Sequence, residues 1–375
     1  MRPTIQTAVP PISTQTYDEL RLLHGQFMEV FTRLVPPPHP VRLATQARRL
    51  SEVYNHLAPG NPYGRPELAD ARLHFFMPTD IVKLWGPLLE LAATLPMPGR
   101  KHLSILDLGG GTGTGCVSAA MVLAALGFTG RVDFTVVEPD TAVNRHLKKT
   151  FEVLRECRFV TFEAKVEMVS IEDFLASKGK RKQHDLVLLI NVLSEAFDDA
   201  DYAAGAAAWF KQIVREQTTR QGFLVVLEPA LRRFSRLLSE AGDLCRQAKL
   251  PLLAPCRPGV CPHLANDKGF CFHSMRAPLT PLMQSVSARS GLDRHEVNFA
   301  YLTFGTGEQA VELPETGPRE IVGRTVSFPR RIKKGFNYHV CTANGLLVAF
   351  APRLLADGET KGGKLPLGTL VTIAS

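Results

Sequence analysis

The chain has 375 residues and a formal net charge of +8, with apolar residues at 45% and charged residues at 21%. That balance excludes a disordered, collagenous or coiled-coil chain, and the length allows two or three domains whose core needs no disulfides. Seven cysteines are too few for a disulfide scaffold, and neither a run of 18 apolar residues nor a secretory signal is present, so no membrane partner is expected. A reducing compartment follows. The cytoplasm is the expectation, and the mitochondrial matrix is the alternative because the first 17 residues hold Arg2, several Thr and no acid.

In chain order, residues from about Tyr17 to Leu95 read as helices separated by proline-rich breaks. The run Val35 to Pro40 ends the first helix, because proline removes a donor and restricts the residue before it. Leu43 to Leu57 has helical apolar spacing, and Pro78-Thr79-Asp80 opens a further helix carrying Leu84, Leu88, Leu89 and Leu95. Residues 1–100 are therefore expected to form a helical N-terminal region.

From His102 strands alternate with helices. Leu103–Leu108, Arg131–Val137, Phe159–Val169, Leu186–Ile190 and Phe223–Leu227 are the strand-like runs, and Leu250–Ala254 and Val297–Phe304 could add two more. Alternation of this kind predicts a parallel sheet covered on both faces over residues 101–310.

The first strand ends in Asp107-Leu108-Gly109-Gly110-Gly111-Thr112-Gly113-Thr114-Gly115. Glycines there admit backbone conformations barred to other residues and let a ligand approach the chain and a helix N-terminus. The second strand ends in Val136-Val137-Glu138-Pro139-Asp140, which places an acid where a ribose diol would donate to it. No Lys follows the glycines, which excludes a Walker A loop, and the G-x-G-x-G spacing departs from the dinucleotide pattern. Asp107 before that spacing, with Glu138 closing strand two, resembles class I S-adenosylmethionine methyltransferases. After the fourth strand the chain reads Asn191-Val192-Leu193-Ser194-Glu195, and neither a base-amine methylation signature nor a nucleophilic Cys appears there. Asn191 and Glu195 are read as lining or structural residues, and no catalytic residue is assigned. Cys116, in the first turn after the loop, is read as packed, as are Cys157 and Cys245.

Within residues 251–280, Cys256, Cys261 and Cys271 lie in a loop shaped by Pro and Gly. Thiolates select zinc or iron-sulfur clusters, and such sites normally take four protein ligands. His263, His273 and Cys341 are the candidates for the fourth, and spacing alone does not choose the metal.

Residues 318–375 hold nine Lys or Arg against three acids, so +6 of the net charge sits in this tail. Short strand-like runs surround Arg324, Tyr338 and Leu346. A basic segment on a nearly neutral body is the pattern of a chain that meets a polyanion at one end. Phe328, Phe336 and Tyr338 lie among the basic residues and are read as core before base-stacking.

Glycine loop, late cysteine block and basic tail with a further Cys resemble the methyltransferase-like protein 17 family, mitochondrial small-subunit ribosome assembly proteins with bacterial relatives. The resemblance rests on Leu106–Gly113, Val137–Asp140, Leu227-Glu228-Pro229, Ala254 through His273, Asn298–Leu302 and Pro329–Gly345. It implies an α/β class I methyltransferase sheet of Rossmann-like type, with a helical N-terminal extension, a cysteine-rich insertion and a small basic β-rich C-terminal extension. It also implies S-adenosylmethionine at Asp107, Gly109, Gly111, Gly113, Glu138 and Asn191. A 4Fe-4S cluster, with zinc as the alternative, falls on Cys256, Cys261, Cys271 and Cys341. The implied partners are the small ribosomal subunit and its rRNA, met by Arg324, Arg330, Arg331, Lys333 and Lys334, with the free protein a monomer. An active rRNA methyltransferase and a small-molecule methyltransferase are the alternative readings.

Overall fold

The computed structural model describes residues 3–9, 12–55, 68–92, 100–177, 182–256, 261–265, 269–307, 320–326, 329–343, 345–352, 365 and 367–374. Strand β1 (Thr4–Val9) comes first, where the sequence predicts only helices. Helices α1 (Thr14–Leu34) and α2 (Pro40–Asn55) follow. Ser13 caps α1 by accepting the Thr16 N–H at 3.2 Å, and Leu20, His24, Phe27, Met28 and Phe31 form its buried stripe. Next comes one nearly continuous helical run: α3 (Ala69–Ala71), a π turn (Arg72–Phe76), α4 (Met77–Asp80), a 3-10 turn (Ile81–Leu84) and α5 (Trp85–Ala92). Pro78 falls in this run just after the π turn and does not break it.

The central sheet comprises β2 (His102–Leu108), β3 (Arg131–Val137), β4 (Thr161–Glu167), β5 (His184–Ile190), β6 (Thr218–Pro229), β7 (Leu252–Ala254) and β9 (Glu296–Gly305) in the order β4-β3-β2-β5-β6-β9-β7. β8 (His273–Arg276) pairs with β9 beside this path. β2 through β6 run parallel, and β9 is antiparallel to both β6 and β7. In domain numbering this is 3-2-1-4-5-7-6, and strand seven is reversed where the alternation of strands and helices predicts a parallel sheet. Its faces are covered separately. Helices α6 (Thr114–Ala125) and α7 (Thr141–Cys157) share one core with α1 and α5. Helices α8 (Ile171–Ala176), α9 (Leu193–Ala196), α10 (Asp199–Glu216) and α11 (Arg232–Gln247) fill the other. Helix α12 (Pro281–Ser290) packs instead against α2 through Val286.

Strand order reverses between β2 and β5, where chains diverge to opposite sides and leave a crevice at the strands' carboxyl ends. The N-terminal helices are tied to this edge by Arg294, which donates to Thr79 Oγ1 at 2.9 Å and pairs with Asp80.

The second sheet contains β10 (Glu320–Thr325), β11 (Arg330–Ile332), β12 (Gly335–Thr342), β13 (Gly345–Pro352) and β14 (Leu370–Ala374), with β1 inserted between β13 and β14. Because β10 pairs with both β14 and β12, the strands β10-β12-β13-β1-β14 close into a five-stranded ring, and β11 forms a hairpin on β12. Ile5, Phe336, Tyr338, Val340, Ala349, Ala351, Val371 and Ile373 fill its interior. Phe336 and Tyr338 are thus core residues. Phe328, Arg319, Arg353, Lys361, Lys364 and the 310–318 boundary lie outside the described residues. Among the described residues no helix is long and apolar enough to cross a membrane.

Candidate functional site

The glycine loop follows directly from the strand before it. Gly109, Gly111 and Gly113 have φ of 72°, 54° and 91°, a conformation that side chains resist, and they are the three glycines of the G-x-G-x-G spacing. Gly110 and Gly115 serve packing instead: an added Cβ would stand 2.2 Å from Val136 Cγ1 at the first and 2.6 Å from Asp107 Oδ2 at the second. The loop is held by N–H donation from Gly109 and Gly110 to the Val137 carbonyl at 2.9 and 3.2 Å.

Glu138 accepts the Gly111 N–H at 2.9 Å and the Asp140 N–H at 3.0 Å, which joins the ends of β2 and β3. Burial raises its carboxyl above the usual range, and the two N–H donors oppose that rise. Asp107 lies beneath the loop, where it accepts from Cys116 Sγ at 3.6 Å. Burial pushes Asp107 up to about 7. Burial likewise raises the Cys116 thiol, outweighing the lowering expected at a helix N-terminus, so Cys116 is a packed residue.

A cavity of about 200 Å³ opens at the sheet reversal, lined by Gly109, Glu138, Pro139, Ile171, Val192 and Trp209 among others. Of the six cofactor residues expected from sequence, Gly109 and Glu138 line it directly. Asp107, Gly111, Gly113 and Asn191 stand behind or beside it. Asn191 directly follows β5 with φ of 54°, and its Oδ1, like Asp107 Oδ1, is buried without a partner among the described residues. Ile171, Val192 and Trp209 were not expected; they are apolar residues just past the ends of β4 and β5 and on α10, and their types carry no signature. Glu195 closes one side of the cavity, and the Tyr54 hydroxyl from α2 donates to it.

At the far end of the sheet, Cys256 follows β7, Cys261 and Cys271 frame the loop before β8, and Cys341 lies in β12 of the second sheet. Helix α11 holds this loop: Arg236 Nη1 donates to the His263 and Gly269 carbonyls at 2.9 and 2.7 Å, and Asp243 accepts the Cys261 N–H at 3.2 Å. The four thiols lie within electrostatic reach of one another. Burial first, and then the charges of Cys261 and Cys341, push Cys256 up to about 12, and Cys271 rises for the same reasons. Such mutual opposition to ionisation is what a bound cation relieves. Among the described residues, no three His, Cys, Asp or Glu converge as closely as one metal ion requires. His273 is buried, which lowers it to about 3, and its ring packs on Tyr301 at 4.7 Å, a core contact.

The basic residues divide. Arg330, Arg331, Lys333 and Lys334 are exposed on the β11–β12 hairpin. Arg324 corrects the expectation that it meets RNA. Only 6% exposed, it pairs with Glu90 of α5 and donates from Nη1 to the Gly368 carbonyl at 2.9 Å. Tyr301 of β9 donates to the same Glu90 at 2.7 Å. Arg324 therefore joins the second sheet to the first, and it stands opposite Cys341 in the β10–β12 register.

Residues 86–350 match the sequence model of a family described as mitochondrial small ribosomal subunit Rsm22. No curated protein matches the chain by sequence. Among solved structures, precorrin-6y C5,15-methyltransferase from Geobacter metallireducens is similar at 11% identity and a TM-score of 0.32, over 58% of this chain and 87% of that one. A SAM-dependent methyltransferase from Thiobacillus denitrificans, solved with S-adenosyl-L-homocysteine, is similar at 12% identity and a TM-score of 0.35, over 66% of this chain and 99% of that one. Human methyltransferase 10 domain containing protein is similar at 9% identity and a TM-score of 0.33, over 61% of this chain and 82% of that one.

Proposed function

The chain belongs to the mitochondrial small ribosomal subunit Rsm22 family, and from that membership we propose a methyltransferase-like protein that associates with the small ribosomal subunit and contacts its rRNA. The family match carries this reading, because residues 86–350 span the glycine loop, the cysteine block and the basic hairpin together. The family's mitochondrial designation supports the matrix over the cytoplasm as its address.

The crevice fits S-adenosylmethionine. Ile171, Val192 and Trp209 offer an apolar wall for the adenine, and Glu138 offers carboxylate oxygens for the ribose diol. The unpartnered Asp107 and Asn191 oxygens are suited to the ammonium end. When bound, this cofactor supplies a methyl group on a sulfonium centre. Glu195, to which Tyr54 donates, lines the same cavity and places a carboxyl group beside the bound cofactor.

The four-thiol donor set fits a 4Fe-4S cluster held by Cys256, Cys261, Cys271 and Cys341, the assignment that the family resemblance implies, with zinc the alternative for the same donors. Three of these thiols come from the loop between β7 and β8 of the first sheet and one from β12 of the second, so a cluster would clamp the two together beside the Arg324–Glu90 pair. Arg330, Arg331, Lys333 and Lys334 are then held outward toward rRNA phosphates.

Anaerobic purification tests the metal, and cosedimentation tests the partner. We expect a brown protein with about four iron and four sulfide per chain that sediments with small subunits at low salt. A colourless zinc protein would remove the cluster from this reading, and failure to sediment would remove the ribosome. Methyl incorporation into small-subunit rRNA, if found and abolished by Asp107→Ala, would make the protein an active methyltransferase.

A further inference from the structure

The ring of the second sheet has a specific topology. Numbered from β10, its strands β10, β12, β13, β14 and β1 are one to five, and the pairing runs 1-2-3-5-4-1. Every pair is antiparallel except three with five, β13 with β1, which is parallel. That is the five-stranded OB barrel, circularly permuted so that the chain's first strand serves as strand five. OB barrels take oligonucleotides on the outer face of strands two and three, flanked by the loop joining strands one and two. Here that face belongs to β12 and β13, and the loop is the segment containing β11.

Both parts have the chemistry for such a ligand. Across the outer face, His339 stands opposite Val348, Cys341 opposite Leu346, and Asn337 opposite Phe350. His339 is exposed, and Val348 and Leu346 are 48% and 41% exposed. Aliphatic groups exposed on a sheet beside an imidazole are suited to the faces of unpaired bases. Arg330 continues the Asn337 row onto β11, and Arg331, Lys333 and Lys334 complete a cationic rim along one edge. The opposite end of the face is closed by Arg324 and Cys341 at the seam with the central sheet.

We propose that this barrel binds a single-stranded RNA segment, with bases packed on His339, Val348 and Leu346 and phosphates on the Arg330–Lys334 hairpin. The proposal rests on the rRNA reading above and sharpens it from phosphate contact in general to recognition of unpaired nucleotides. A duplex presents only its backbone and grooves, so it could use the hairpin but not the face.

Fluorescence anisotropy of the full-length protein with a labelled 12-nucleotide RNA, single-stranded or annealed to its complement, tests this. We expect at least tenfold tighter binding of the single strand. Val348→Asp, at an exposed position that leaves the barrel interior untouched, should remove about tenfold of that preference, on the order expected for losing one base contact. Lys333→Ala with Lys334→Ala should weaken both forms and flatten the dependence on salt. Equal affinity for duplex and single strand overturns the proposal, as does Val348→Asp binding like wild type while retaining its melting temperature. Cosedimentation separates the two levels. If wild type sediments with small subunits but binds neither RNA, the barrel meets a ribosomal protein and the proposal fails while the ribosome reading stands. If wild type does not sediment, that reading fails as well.

Discussion

The glycine-loop crevice and the cysteine seam are built in opposite ways. The crevice has a local half: strand, loop, helix and the acid of the next strand lie within residues 107–140 and take their shape from their own backbone conformations, while Ile171, Val192 and Trp209 add the opposite wall. The seam is assembled at long range, from the one loop between β7 and β8 and one strand of a barrel that the N-terminal strand completes. A local site should survive damage elsewhere in the chain. A long-range one should fail whenever any contributing segment is lost.

The largest expected effect tests that distinction. Deleting residues 1–12 removes β1, whose Ile5 is fully buried in the barrel core. The barrel then opens between β13 and β14, and Cys341 loses its fixed place. We expect nearly complete loss of bound metal by elemental analysis, with S-adenosylmethionine affinity by calorimetry within about threefold of wild type. Metal retention by the truncated chain would break the comparison.

The reciprocal lesion is Gly110→Val. With a Cβ already 2.2 Å from Val136 Cγ1, the loop must shift. Overpacking of this kind costs about 1–3 kcal/mol. Cofactor binding should become undetectable in the same calorimetric titration while metal content stays unchanged.

A smaller effect concerns pH. Burial raises Asp107 from 3.8 to about 7, so the folded state holds this proton more tightly than the unfolded chain does. Its contribution to stability is fully present below pH 3.8 and is lost as pH rises to about 7. At about 1.4 kcal/mol per pH unit, that loss is at most on the order of 4 kcal/mol. Asp107→Asn should therefore raise the melting temperature of the cofactor-free protein at pH 8 and leave it little changed near pH 4. Glu228, also raised to about 7 by burial, continues to titrate in both proteins and sets the residual slope. Equal gains at the two pH values would show that Asp107 is not the group responsible.

Legibility in the sequence follows the same division. Asp107, the loop glycines and Glu138 are readable because spacing within a strand-loop-helix unit nearly determines geometry. Ile171, Val192 and Trp209 are not, since an apolar residue past a strand end looks like any other core residue. Cys341 has no local mark that joins it to Cys256, and only the family resemblance links them. Arg324 was misplaced for a physical reason: a charge count cannot distinguish a cation in water from one neutralised by Glu90 inside the protein. β1 has no local mark because its strand partners, β13 and β14, lie at the other end of the chain.

That first strand bears on synthesis. β1 leaves the ribosome long before its neighbours β13 and β14, so at ~5–20 residues per second it waits roughly 20–70 s for them. Through that interval the barrel cannot close and Cys341 has not been made. Only a chain translated through β14 can finish this module, so closure of the barrel requires that translation has passed that strand.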